Sequence, residues 1–101
     1  MIRVVYEPES FRICAEGHAN AGPQGQDIVC AAVSMLMYTL IASLGRSGID
    51  ADVEEEPGMM LLSVTPEDFD RDYCRAIFDT VSAGLELLAD KEPDHVEFII
   101  Q

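Results

Sequence analysis

Positive charge is what this sequence has least of. Six lysines and arginines stand against 19 acids, for a formal net charge of −13. Nucleic-acid binding requires neutralisation of phosphates, so a chain this acidic is a poor candidate for it. Long-range attraction would instead favour a basic partner, although such a charge also serves plain solubility. Tryptophan is absent, and there are only two histidines, His18 and His95. The three cysteines, Cys14, Cys30 and Cys74, are odd in number and without close spacing. A disulfide framework is therefore not expected, which leaves each thiol as core filler, ligand or nucleophile. The opening residues MIRVVYEP lack the cationic start and long apolar stretch of an export signal. A reducing cytoplasm is the expected compartment. The longest apolar-rich run, residues 28–44, is interrupted by Ser34, Tyr38, Thr39 and Ser43 and has helix punctuation at both ends. It reads as a buried helix and not as a membrane span. Phosphate-binding and dinucleotide fingerprints are missing, so no cofactor is expected.

What the chain does have is apolar content, 49% of 101 residues, enough for one compact domain over residues 1–101. Ile2, Val4 and Tyr6 alternate with Arg3, Val5 and Glu7, and Phe11, Ile13 and Ala15 alternate with Arg12, Cys14 and Glu16. Two strands joined as a hairpin follow. A helix is expected from Ile28 to about Arg46, with Asp27 as N-cap and Gly45 or Gly48 as its end. It is apolar on two sides: Ile28, Ala31, Ala32, Met35, Tyr38 and Ala42 on one, Val29, Val33, Leu36, Leu40 and Leu44 on the other. Such a helix needs cover nearly all round, and a second subunit is a plausible source. Residues 49–56 and 59–65 form a second hairpin about Pro57-Gly58. Pro66-Glu67-Asp68 makes a turn, residues 70–90 an amphipathic helix, and 95–100 a last strand. The expected fold is α+β: strand-strand-helix-strand-strand-helix-strand, with helices packed on a mixed sheet.

The segment EGHANAGPQGQDIVCAAVSML concentrates the candidate chemistry. It holds His18, Cys30 and three of the seven glycines, Gly17, Gly22 and Gly25. With Asp27 as cap, Cys30 falls in the first helical turn, at the positive end of the helix dipole. That setting favours thiolate, and the glycine-rich loop lets His18 fold back as general base or ion-pair partner. First-turn amides could hold an oxyanion. Two other readings stay open on the residues alone. Cys30 could be core and His18 a loop residue; Cys14, His18 and Cys30 could ligate zinc, the weakest option because no two ligands lie close in sequence.

The run Gly17-His18-Ala19, then Gly25, then DIVCAAVS from Asp27 to Ser34, resembles the signature of the bacterial ribosomal-processing cysteine proteases, the Prp family. The resemblance implies a homodimeric cysteine endopeptidase, with Cys30 as nucleophile and His18 as general base. Its substrate would be a basic precursor of a large-subunit ribosomal protein, from which a short N-terminal extension is removed. The different-class alternative is a non-catalytic acidic module that binds a basic ribosomal or assembly partner. Nucleic acid, membrane and metal have no part in either.

Supporting roles are read less directly. Asp27 could orient His18, but the helix cap comes first. Ser34, one turn after Cys30, could bond the thiol or a histidine, or back-bond to its own helix. Gly17, Gly22 and Gly25 could act as loop hinges or merely satisfy turn geometry. His95 is expected at the surface and Cys74 in the core. Met35, Met37, Met59 and Met60 are expected as core or interface filler. The acids from Asp50 to Glu56 are expected along a solvated strand edge.

Overall fold

The computed structural model describes residues 1–19, 22–23 and 27–101. Strands β1 (Ile2–Glu7) and β2 (Arg12–Gly17) form the first hairpin, joined by a 3-10 turn at Pro8–Ser10. Helix α1 (Ile28–Arg46) follows, then the hairpin of β3 (Asp52–Glu56) and β4 (Met59–Ser63). Helices α2 (Pro66–Phe69) and α3 (Asp72–Lys91) lead to β5 (Val96–Ile100). The five strands form one sheet in the order β3-β4-β2-β1-β5. It is mixed, because β5 pairs with β1 in parallel while the other pairs are antiparallel. The element order is the expected one. The turn at Pro66 is in fact one turn of helix: proline occupies the first position, and the Thr65 hydroxyl accepts from the Asp68 amide.

Period-2 patterning determines which sheet face is covered. Ile2, Val4, Tyr6, Ile13, Ala15, Met60 and Leu62 are buried, and the registers put them on a common face. Val29, Val33, Met37, Leu40 and Leu44 of α1 join them in one core with Cys74, Phe78, Val81 and Leu85 of α3. Cys74 is thus core filler, as expected. Aromatic rings knit the far end of the core: Phe78 stacks on Tyr6 at 5.9 Å and meets Phe69 edge-on at 5.3 Å.

Helix α1 ends by a backbone motif. Gly48 has φ +80, its amide bonds to the Gly45 carbonyl, and the Ile49 amide reaches back to Leu44. That left-handed residue makes Gly48, not Gly45, the stop. Only one of the two apolar sides of α1 is covered. The Val29/Val33/Leu40/Leu44 side is core, whereas Ile28 is 79% and Met35 65% exposed. The expectation of cover nearly all round is not met within one chain. By length and composition α1 could cross a membrane; its core-facing side is instead packed within the α+β domain.

Candidate active site

A groove of about 290 Å³ runs between the first half of α1 and the β3–β4 turn. Cys30, His18, Ser34 and Tyr38 line it together with Met37, Met60 and the acids Glu16, Glu55 and Glu56. The two residues predicted to carry chemistry therefore face one cavity. The helix presents its share by simple periodicity, since Cys30, Ser34 and Tyr38 are spaced four apart.

Asp27 builds the helix start as the sequence implies. Its carboxylate accepts from the amides of both Val29 and Cys30, each at 3.0 Å. This narrows one expectation. Those two first-turn N–H groups are engaged by the cap and do not point as free donors toward an oxyanion. An Asp27→Ala variant is expected to lose about 1 kcal/mol of stability, and Asp27→Asn much less. Urea denaturation of the purified variants checks this.

A different amide meets the sulfur. Ala19 N–H donates to Cys30 Sγ at 3.3 Å, within range for a hydrogen bond to sulfur. Ala19 is itself 1% exposed, and the contact is partly buried beside the groove. The backbone leading to it is fastened on both sides. Gly17 N–H donates to the Gly58 carbonyl at 2.7 Å, and the N-terminal ammonium of Met1 donates to the His18 carbonyl. Gly17 itself has φ +107, and a Cβ there would sit 2.3 Å from the Met1 carbonyl oxygen. Only glycine lets these strands approach so closely. Gly22 lies in an exposed bend, and Gly25 lies outside the described residues.

The His18 ring rests against the hairpin turn. A Cβ placed on Gly58 would lie 2.9 Å from His18 Nε2 and 3.3 Å from Cε1. The turn thus forms a wall for the imidazole. Across the groove the Tyr38 hydroxyl donates to Glu55, tying α1 to β3. That carboxylate raises the Tyr38 pKa by accepting the phenolic proton's hydrogen bond, so the phenol stays neutral at physiological pH.

One expectation is revised by position. His95 is not a free surface residue. It is half-buried, and its Nδ1 lies 2.9 Å from the Ala19 carbonyl. Cys14 alternates with the buried Ile13 and Ala15, so it occupies the opposite sheet face from the one under α1. Burial pushes its thiol pKa up, reinforced by Glu16. A zinc site shared by Cys14 and Cys30 does not fit that placement, and no metal-binding group of three such side chains occurs among the described residues.

Sequence reasoning alone misses Gly58, His95 and Tyr38 at the site, and gives Ala19 only as part of a motif and Glu55 only as one of a run of acids. For Tyr38 a signal existed, the spacing of four from Ser34. For His95 and Gly58 none did, because both reach the site through strand pairing.

The sequence pattern of a family described as cysteine protease Prp matches residues 1–97. Among solved structures, the essential ribosomal processing protease Prp of S. aureus with a covalently linked product peptide is 21% identical, over 100% of both chains, at TM-score 0.90. The same protease with a substrate peptide is 19% identical over 100% of both chains, at TM-score 0.85. The Streptococcus mutans protein SMU.848 is 24% identical over 99% of this chain and 91% of its own, at TM-score 0.77. No curated protein matches the chain.

Proposed function

Because the chain belongs to the Prp family of cysteine proteases, we propose that it is a cytoplasmic endopeptidase that removes a short N-terminal extension from a large-subunit ribosomal protein. The observation that carries this reading is that Cys30 and His18 line one groove, with the Ala19 amide bonded to the Cys30 sulfur. A purely structural cysteine would need neither an open groove nor a histidine in it. The solved S. aureus relatives, with a substrate peptide and a covalently linked product, support peptide cleavage as the reaction. The net charge of −13, with Glu16, Glu55 and Glu56 around the groove, suits a basic ribosomal protein. A non-catalytic acidic module gives no reason for the thiol–histidine arrangement.

The chemistry follows the ordinary course of nucleophilic catalysis. Cys30 Sγ, its proton held by His18, attacks the scissile carbonyl carbon. As the tetrahedral centre collapses, the C–N bond breaks and His18 gives the proton to the departing amine. The acyl group is left as a thioester on Cys30. Water, losing its proton to His18, adds to the thioester; the C–S bond then breaks and the proton returns to the sulfur. The Ala19 N–H, bonded to sulfur at rest, holds the sulfur less strongly once its electron density is shared with carbon, and becomes available to the carbonyl oxygen. Ser34, exposed and in the groove, is placed to meet the peptide or the catalytic pair.

The exposed side of α1 serves a second copy of the chain in this reading. Ile28 and Met35 are too exposed and too apolar for a solvent-facing helix. Light scattering after size-exclusion should give twice the single-chain mass, and Met35→Glu should give the single-chain mass. A wild-type monomer at micromolar concentration counts against the dimer and leaves the protease reading untouched.

The direct test is incubation with the extended ribosomal-protein precursor and mass mapping of the products. One new N-terminus, absent with Cys30→Ala, is the expected result; an intact precursor refutes the assignment of substrate.

A further inference from the structure

We infer that His95 is a positioning residue for the nucleophile, acting through the backbone of Ala19. The inference rests on Cys30 being the nucleophile. His95 stands just before β5, 76 residues along the chain from Ala19. A carbonyl oxygen can only accept, so the 2.9 Å contact with His95 Nδ1 requires that nitrogen to carry a proton. The bond fixes one end of the Ala19 peptide linkage region. At the other, Ala19 N–H points at Cys30 Sγ. His95 is itself anchored: its carbonyl accepts from Ile2 N–H at 2.8 Å and its amide donates to the Glu92 carbonyl at 3.0 Å. The ring is therefore carried on the rigid junction of β1 and β5.

The arrangement is a chain of two hydrogen bonds, imidazole to Ala19 carbonyl and Ala19 amide to sulfur. A residue without a side-chain partner would leave Ala19 held from one side only, next to the glycine-rich segment. With His95 in place, the amide stays aimed at the sulfur and holds it in one position. It also keeps the backbone carrying His18 in a single position. No proton need leave or reach His95 in the reaction. The neutral Nδ1–H form and the imidazolium both donate to the carbonyl, so the role is geometric.

The test compares His95→Ala and His95→Asn in the full chain. An asparagine amide can place a donor near the position of Nδ1. Two readouts are taken: the rate of iodoacetamide modification of Cys30 at pH 6.5, followed on the Cys30 peptide by mass mapping, and kcat and KM on the precursor. His95→Ala is expected to slow modification of Cys30 about fivefold and to lower kcat about tenfold, with KM within twofold. His95→Asn should recover at least half of each loss. Modification of Cys14 serves as the internal reference, and should be unchanged in both variants.

If His95→Ala modifies and turns over like wild type, the positioning role is refuted. If His95→Asn is as impaired as His95→Ala while circular dichroism shows both folded, the donor is not what matters, and the inference fails as well. A His95→Ala variant that does not fold leaves His95→Asn, and a second substitution, His95→Gln, to decide by the same two rates. Failure of the nucleophile assignment itself looks different: wild-type Cys30 would then be dispensable for cleavage, whatever His95 does.

Discussion

Replacing Cys30 by alanine is expected to abolish precursor cleavage, lowering kcat/KM by about 10⁴-fold or more, while the protein still folds and still binds the peptide. The reasoning starts from what the substitution removes. Alanine keeps the Cβ and the first helical turn, so the Asp27 cap survives with both of its bonds. The lost atom is the one that would form the thioester, and no nearby group replaces it. Ser34 lies a full turn further along α1 and has no counterpart of the Ala19 contact in the described structure. The deleted sulfur leaves the Ala19 N–H without its acceptor, at a penalty of about 1 kcal/mol at a site that is only partly buried. That is small beside the typical stability of a domain, about 5–15 kcal/mol. Fluorescence anisotropy with a labelled precursor peptide should therefore give a dissociation constant within a few-fold of wild type. Product formation measured by mass spectrometry should fall to background. Residual cleavage within tenfold of wild type would show that Cys30 is not the nucleophile.

The second large effect is expected at a residue with no chemistry of its own. Gly58→Ala should lower kcat/KM about 10²-fold and stability by about 1–2 kcal/mol. Two independent causes add. Gly58 has φ +78, a conformation that disfavours any residue with a Cβ by about 1–2 kcal/mol. In addition, the new methyl would sit 2.9 Å from His18 Nε2 and 3.3 Å from Cε1, closer than atoms pack. Either the ring or the turn must move, and a shift of about 1 Å in a catalytic group is enough for a 10²-fold loss. Pro57→Ala separates the causes. It loosens the same turn, at about 0.4–1 kcal/mol, without putting an atom against His18. Its rate should remain within threefold of wild type. If Gly58→Ala loses stability but keeps its rate, then His18 is not the proton carrier at this position.

Both experiments rest on a site only half of which is written along the chain. Asp27, Cys30 and Ser34 are legible because they share one helix, whose period and cap residue fix where each side chain points. The strands are legible because alternation is a local property: Ile2, Val4 and Tyr6 fall on one face whatever else happens. What strand pairing brings together is not local. Gly58 meets His18 only because β4 adds to β2, and His95 meets Ala19 only because β5 adds to β1. A histidine flanked by acids reads as a surface residue until the parallel pairing is known. The oxyanion expectation is narrowed for a related reason. A helix N-terminus has several orphan amides, and the sequence does not say how many its own cap will consume. Here Asp27 takes two. Conversely, the two apolar sides of α1 were correctly read as separate stripes, but their presence could not tell which would be left outside.

The parallel pairing of β1 with β5 also has a consequence for folding. Ile2 faces Val96, a partner 94 positions away, and the His95 ring that holds Ala19 travels with the same junction. Closing so long a loop carries an entropic cost that must be met before the contact rewards it. A chain in which both hairpins and α1 have folded already possesses Cys30 and His18, but lacks the His95 bond to the Ala19 carbonyl. With the positioning role proposed for His95, full proteolytic competence requires the last strand in place and does not belong to the parts that carry the reactive atoms alone.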